Sequence, residues 1–224
     1  MTRLVTVALA LALLGNTAAM AQGEFEGTIH YKVKIDGAIA GLVRSLLPTE
    51  QVVKLRHDGY SRRLSGGGAP QWFIHVGKDK TTYLLSEGAQ TVSRLPNPEV
   101  EPQITRLEEE TEIAGYNCRK YKVVLPAKQN NIEIVQYVWA APRIKSAVHK
   151  NANDPLMGYY KAIDGFPLRV ITTASMMGAE IEMSYTATHL VKETVAATEV
   201  ALPAGYKTQD MQLPDSNAPG AGIR

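Results

Sequence analysis

The 224-residue chain has a single cysteine, Cys118. No internal disulfide can form, so stability has to come from buried apolar surface and backbone pairing. There is no Cys-x-x-Cys, and the five histidines, His30, His57, His75, His149 and His189, are dispersed, with no pair flanking a glutamate at helical spacing. The usual zinc signatures are therefore missing. A G-x-S-x-G elbow for a serine nucleophile is also missing. The glycine run Ser65-Gly66-Gly67-Gly68-Ala69-Pro70 has no Gly-Lys-Ser/Thr after it and opens no helix, so it reads as a loop and not as a phosphate cradle. Charge of one sign is lacking as well: 24 basic residues face 22 acidic ones. That balance argues against a nucleic-acid binder and against a strongly electrostatic membrane binder. No catalytic set, metal or cofactor is expected.

Long hydrophobic runs are confined to residues 4–14, which follow Arg3 and precede Ala19-Met20-Ala21. A basic start, a short apolar stretch and an A-x-A site form a bacterial-type signal peptide, residues 1–21, with cleavage between Ala21 and Gln22. The run is too short to span a bilayer stably, and no cysteine follows the cleavage site to take a lipid anchor. The expected location is the periplasm or outside the cell. Removing 21 of 224 residues leaves 203, and no integral span remains. With no visible linker, residues 22–207 are expected to form one domain. Residues 208–224 form a flexible C-terminal tail.

What the chain does have is alternation. In 24–36, Phe25, Gly27, Ile29, Tyr31, Val33 and Ile35 share one face, and charged or polar residues including His30 share the other. That is a long antiparallel strand with a dry and a wet side. Further strands are expected at 51–58, 71–76, 81–86, 90–95, 105–113, 117–125, 132–140, 166–174 and 179–190, with a last one over 192–202. Glycine-containing turns separate several of them, including a tight bend at Ala114-Gly115. Glu108-Glu109-Glu110 reads as a solvated rim. With no βαβ alternation, the fold class is mainly β. We expect a strongly curved antiparallel sheet, an open half-barrel of about nine to eleven strands, with two or three short helices on its concave side.

Three groups of apolar residues are candidates for a cavity wall or lid. Ile39, Leu42, Val43, Leu46 and Leu47 form a helical stripe ended by Pro48, and its burial across the dry face of the sheet is expected whether it is a core helix or a lid. Strand 132–140 is apolar on both sides, so Val135, Tyr137 and Trp139 need a cover, either a helix or a ligand. Leu156, Met157 and Tyr160, with Tyr159, give an aromatic face to a short helix entered at Pro155 and capped by Asn153 or Asp154. Cys118 lies beside two tyrosines and reads as a small buried hydrophobe, although Arg119 and Lys120 leave a lowered thiol pKa open. His149 and Asp154 could meet as two ligands of an ion, a coincidence-level pairing.

Four stretches, in this order, carry a resemblance. They are Ile113-Ala114-Gly115-Tyr116-Asn117-Cys118-Arg119-Lys120-Tyr121, Val135-Gln136-Tyr137-Val138-Trp139, Gly165-Phe166-Pro167-Leu168 and Leu202-Pro203-Ala204-Gly205-Tyr206. Over residues 23–207 the chain resembles an exported bacterial domain-of-unknown-function family related in fold to the periplasmic lipoprotein carriers LolA and LolB. The resemblance implies a curved sheet around an apolar cavity that shields acyl chains in transit. It carries over no functional residues. Three functions compete: a soluble binder or carrier of a lipid or acyl-chain ligand; a structural module that binds an envelope protein partner; and a hydrolase using Cys118 or a histidine–carboxylate set.

Overall fold

The computed structural model describes residues 24–68, 70–96, 101–126, 134–146, 150, 157–176 and 179–211, with backbone alone for 174–176. The signal segment, Leu156 and the His149/Asp154 pair lie outside the described residues. The protein is mainly β: 59% of the described residues are strand, in one 12-stranded sheet that does not close into a barrel. The strands are β1 (Gly27–Gly37), β2 (Glu50–Arg56), β3 (Gly59–Ser65), β4 (Gln71–Val76), β5 (Thr81–Ser86) and β6 (Thr91–Arg94), then β7 (Gln103–Ile113), β8 (Tyr116–Leu125), β9 (Ile134–Ala141), β10 (Phe166–Met176), β11 (Ala179–Lys192) and β12 (Lys207–Asp210). Their order across the sheet is β12-β6-β5-β4-β3-β2-β1-β11-β10-β9-β8-β7. Two meanders, β1–β6 and β7–β11, therefore meet where β1 pairs antiparallel with β11.

Two strands depart from the expected pattern. Gly59–Ser65 is a strand, β3, although Ser61, Arg62 and Arg63 interrupt its apolar pattern. Residues 192–202 add no full strand. They hold a short 3₁₀ turn, Ala197–Glu199, between the buried Val195 and Val200. The strand comes later: Lys207–Asp210, expected to belong to the tail from residue 208 on, pairs parallel with β6. The reason is local. Leu202 and Tyr206 pack on the cluster of Ile74, Tyr83, Leu85 and Val92. This lays the following backbone along an otherwise unpaired edge.

Side-chain parity places the core. Along β1, Ile29, Tyr31, Val33 and Ile35 are buried while Lys32, Lys34 and Asp36 are exposed, as the alternation predicts. The inner face continues through Val53 and Leu55 on β2 and Ile181 and Ala187 on β11, all buried. At the β4–β6 end, the cluster holding Ile74 has the opposite parity and lies on the outer face, beneath the C-terminal segment. The β7–β8 hairpin turns on two residues with positive φ, Ala114 (50°) and Gly115 (82°), the geometry of a two-residue turn matched to strand twist.

Helix is scarce. Ala40–Val43 is a single α-turn, α1, that tightens into a 3₁₀ turn at Arg44–Leu46. Ala40 and Val43 pack with Ile35, Ile39, Leu47 and Met183 on the inner face, so part of the predicted stripe is buried there. Leu42 and Leu46 are not: they are 75% and 68% exposed. The burial expected of the whole stripe needs a continuous two-turn α-helix, but only one α-turn forms, and beyond Val43 the 3₁₀ period of three residues takes positions four apart off a common face. The glycine loop after β3 closes over this helix. Gly68 N donates to Ser45 O at 2.9 Å, and a Cβ on Gly67 would lie 2.0 Å from Leu47 O. Close approach, not anion binding, accounts for the triplet.

Candidate functional site

The inner face holds a cavity of about 250 Å³. One wall is Tyr31, Gln51, Val53 and Arg62 from β1–β3. The other is Gln136, Phe166, Val170, Thr172, Met183 and Tyr185 from β9–β11, with Met157, Tyr159 and Tyr160 across its end. Strands β3 and β9 stand five steps apart in the sheet. In a flat sheet that is about 24 Å at ~4.8 Å per step. Both line one small cavity, so the sheet curves around it.

Polar groups on the wall are largely paired. Tyr31 Oη donates to Pro167 O at 2.8 Å. Tyr160 Oη donates to Gln136 Oε1 at 3.1 Å, and Gln136 Nε2 donates to Thr172 Oγ1 at 3.0 Å. Burial raises the Tyr31 hydroxyl well above its ordinary value and pushes Tyr160 up to about 12, with the nearby Arg62 charge opposing both shifts. Both tyrosines are therefore neutral near pH 7. Arg62 Nε donates to Gln51 Oε1 at 2.8 Å, and the guanidinium lies 5.5 Å from the Tyr185 ring and 6.0 Å from that of Phe73.

The sequence candidates separate into three places. Met157 and Tyr160 line the cavity, in a turn that ends in the 3₁₀ segment Gly158–Tyr160. Ile39, Val43 and Leu47 touch it only indirectly, through their packing with Met183. Val135, Tyr137 and Trp139 are on the opposite, outer face, because Gln136 and Val138 take the inward parity of β9. Side chains of the neighbouring strands lie over them. Lys120, directly across the β8–β9 pair, sits 4.7 Å over Trp139 and 5.0 Å over Tyr137. Arg169, across the β9–β10 pair, sits 5.5 Å over Trp139. Trp139 Nε1 donates to Glu109 Oε1 at 3.1 Å, and Glu109 also pairs with Lys120 at 2.6 Å. The stems of these cross-strand cations and the apolar cluster that Trp139 shares with Ile113 and Cys118 close this face, leaving Trp139 only 5% exposed.

The cavity residues not singled out from the sequence are Gln51, Arg62, Gln136, Met183 and Tyr185 among others. Tyr31 sat on the apolar face read along 24–36, and Met183 and Tyr185 lay in the strand expected over 179–190. Arg62 carried a weaker signal, the i, i+2 row Tyr60-Arg62-Leu64. Larger depressions of about 380 and 410 Å³ lie on the outer face, walled by residues such as Lys32, Lys34, Glu50 and Glu182. They are grooves between solvated strand side chains.

Cys118 is fully buried. Its thiol donates to Tyr116 O at 3.3 Å, and burial pushes its pKa up to about 11. A protonated, inaccessible sulfur is a poor nucleophile. The histidines are less dispersed than the sequence suggests. The β1–β11 register places His30 opposite His189, with ring centroids 4.1 Å apart and planes 12° apart. Among the described residues, no three His, Cys, Asp or Glu side chains converge as a metal site. No described helix is long and apolar enough to cross a membrane. No protein-family model, curated protein or solved structure matches the chain.

Proposed function

We propose that this protein binds a hydrophobic ligand, an acyl chain or similar lipid tail, on the inner face of its sheet. The observation that supports this reading is the cavity itself: an aromatic, methionine-lined hollow between the two meanders. Methionine and tyrosine make an adaptable apolar wall. At about 250 Å³, the hollow falls just below the ~300–1,000 Å³ usual for small-molecule sites. It suits one short chain or the end of a longer one. Burying eight methylenes at ~0.8 kcal/mol each yields about 6 kcal/mol. Association costs reduce this, so binding of a bare eight-carbon chain is weak, near the millimolar range.

The same reading takes the chain as an exported periplasmic carrier of the LolA/LolB kind, released after cleavage between Ala21 and Gln22. Native mass spectrometry of protein purified without detergent tests it, with cell fractionation for the location. Co-purifying lipid in the periplasmic fraction is the expected result. Protein free of lipid, whose cavity resonances also ignore added 1-octanol, would end the proposal. A partner-binding envelope module is the second reading. It is favoured by β7, an eleven-residue strand at the end of the sheet with most of its side chains exposed. Such an edge can accept a strand from another protein. Capture of an envelope protein that is lost on placing a proline in β7 would select this reading.

A further inference from the structure

We infer that the ligand of the inner cavity is a single-chain amphiphile with an anionic oxygen head, a carboxylate or phosphate, seated on the guanidinium of Arg62. This rests on the cavity holding an apolar chain and adds the identity of its head. Arg62 is the one charged residue among the described residues lining the cavity. Four other arginines of the sheet and its turns meet carboxylates, Arg56 with Asp58, Arg94 with Asp210, Arg106 with Glu110, and Arg119 with Glu110 and Asp164, while Arg63 and Arg169 lie over Trp72 and Trp139 on the outer face. No described carboxylate pairs with Arg62, and its hydrogen bond to Gln51 uses Nε.

The consequences follow from the chemistry of guanidinium. A half-buried cation without a counter-charge is costly, and the Tyr185 and Phe73 rings offset only part of that cost. The aromatic contacts and the Gln51 bond hold the planar group in place. Its terminal nitrogens have no acceptor among the described residues, and a planar fork of N–H donors matches two oxygens of a carboxylate or phosphate. The Arg62 charge acts on the hydroxyls of both Tyr31, on one wall, and Tyr160, across the end of the hollow. With no acidic side chain among the described residues of the wall, no counter-charge there would offset the repulsion between Arg62 and a cationic head. Met157, Val170 and Met183 are left for the tail.

The test is an NMR titration of ¹⁵N-labelled protein at pH 7 with octanoate, octyl phosphate and 1-octanol, reading cavity amides and the Arg62 Nε–H resonance. At least one anion should bind about ten- to a hundredfold more tightly than the alcohol, the advantage of charge-assisted hydrogen bonds. Which anion binds better identifies the head. Arg62→Gln should erase the preference and leave 1-octanol within about threefold. Equal affinity of the wild-type protein for the alcohol and both anions overturns the inference while the apolar-cavity reading stands. A preference that survives in folded Arg62→Gln overturns it too. If none of the three binds, both fail. The wild-type comparison needs no variant, so misfolding of Arg62→Gln cannot shelter the idea.

Discussion

Replacing Lys120 tests whether the outer face of β9 is closed by the sheet's own side chains. The ammonium sits 4.7 Å from the Trp139 ring and 5.0 Å from the Tyr137 ring. Cation–π contacts of this partly exposed kind are worth about 0.5–1 kcal/mol each, so removing the charge costs about 1–2 kcal/mol. Lys120→Met keeps an unbranched stem over the rings and should lose that amount together with the Glu109 ion pair, which is exposed and screened by solvent and so adds little. Lys120→Ala also uncovers ring surface. Exposing about 40 Å² of it at ~25 cal/mol per Å² adds about 1 kcal/mol. In a domain of this size, 1 kcal/mol corresponds to about 2–4 °C in Tm, so the methionine variant should melt about 2–8 °C lower and the alanine variant lower still. Urea unfolding followed by tryptophan fluorescence, with thermal unfolding by circular dichroism, measures both. If both variants match the wild type, lysine does not cover the face, and Val135, Tyr137 and Trp139 return as a surface awaiting a ligand. If alanine destabilises and methionine does not, the stem matters and the cation–π contribution is void.

Three further outcomes are expected. Gly115→Ala should cost about 1–2 kcal/mol in urea unfolding, the price of a left-handed alanine; its Cβ would meet nothing within 4 Å, so backbone conformation at φ 82° is the sole cause. Stability should fall as pH drops from about 6.5 through the lowered folded value of His30, because burial and the neighbouring His189 hold His30 neutral in the fold while the unfolded chain takes up the proton; urea midpoints against pH should flatten in His189→Gln, and a slope unchanged by it would remove the pair as the cause. Cys118 should resist a thiol reagent at pH 8 in native protein and react at once in denaturant, since burial pushes its pKa up to about 11; rapid native labelling would reopen the nucleophile reading.

Much of the sheet was legible because half-buried strands write their geometry into the sequence. The row Ile29-Tyr31-Val33-Ile35 named its own buried face, and Ala114-Gly115 named its turn. Legibility failed where cover came from elsewhere. Trp139 faces outward, yet it looked like a core residue needing a lid, because nothing in β9 says that Lys120 and Arg169 will be its cross-strand neighbours. The register of β1 on β11 joins residues 159 positions apart, which is how His30 finds His189. Among the described candidate residues, Met157 and Tyr160 alone line the cavity directly. Its remaining wall depends on strand order, which alternation alone does not specify. Strand β3 was missed because its inward row contains an arginine, and an arginine in the apolar row of a strand breaks the pattern that identifies strands.

That arginine also ties the two halves of the molecule together. β3 and β11 stand three steps apart in the sheet order, about 14 Å if the sheet were flat. The Arg62 guanidinium nevertheless lies 5.5 Å from the Tyr185 ring. Curvature and a long side chain together close the distance, across the β1–β11 seam where the meanders meet. A purely structural cation at this position would be complete with its aromatic partners and Gln51. A head group on its free donors would instead join β3 to the β9–β11 wall through the ligand. Binding would then strengthen the seam, raising stability by RT ln(1 + [L]/Kd). Because β1 and β11 lie far apart in sequence, their pairing carries a large loop-closure cost. A ligand that bridges them acts where the fold has most to gain from a further contact.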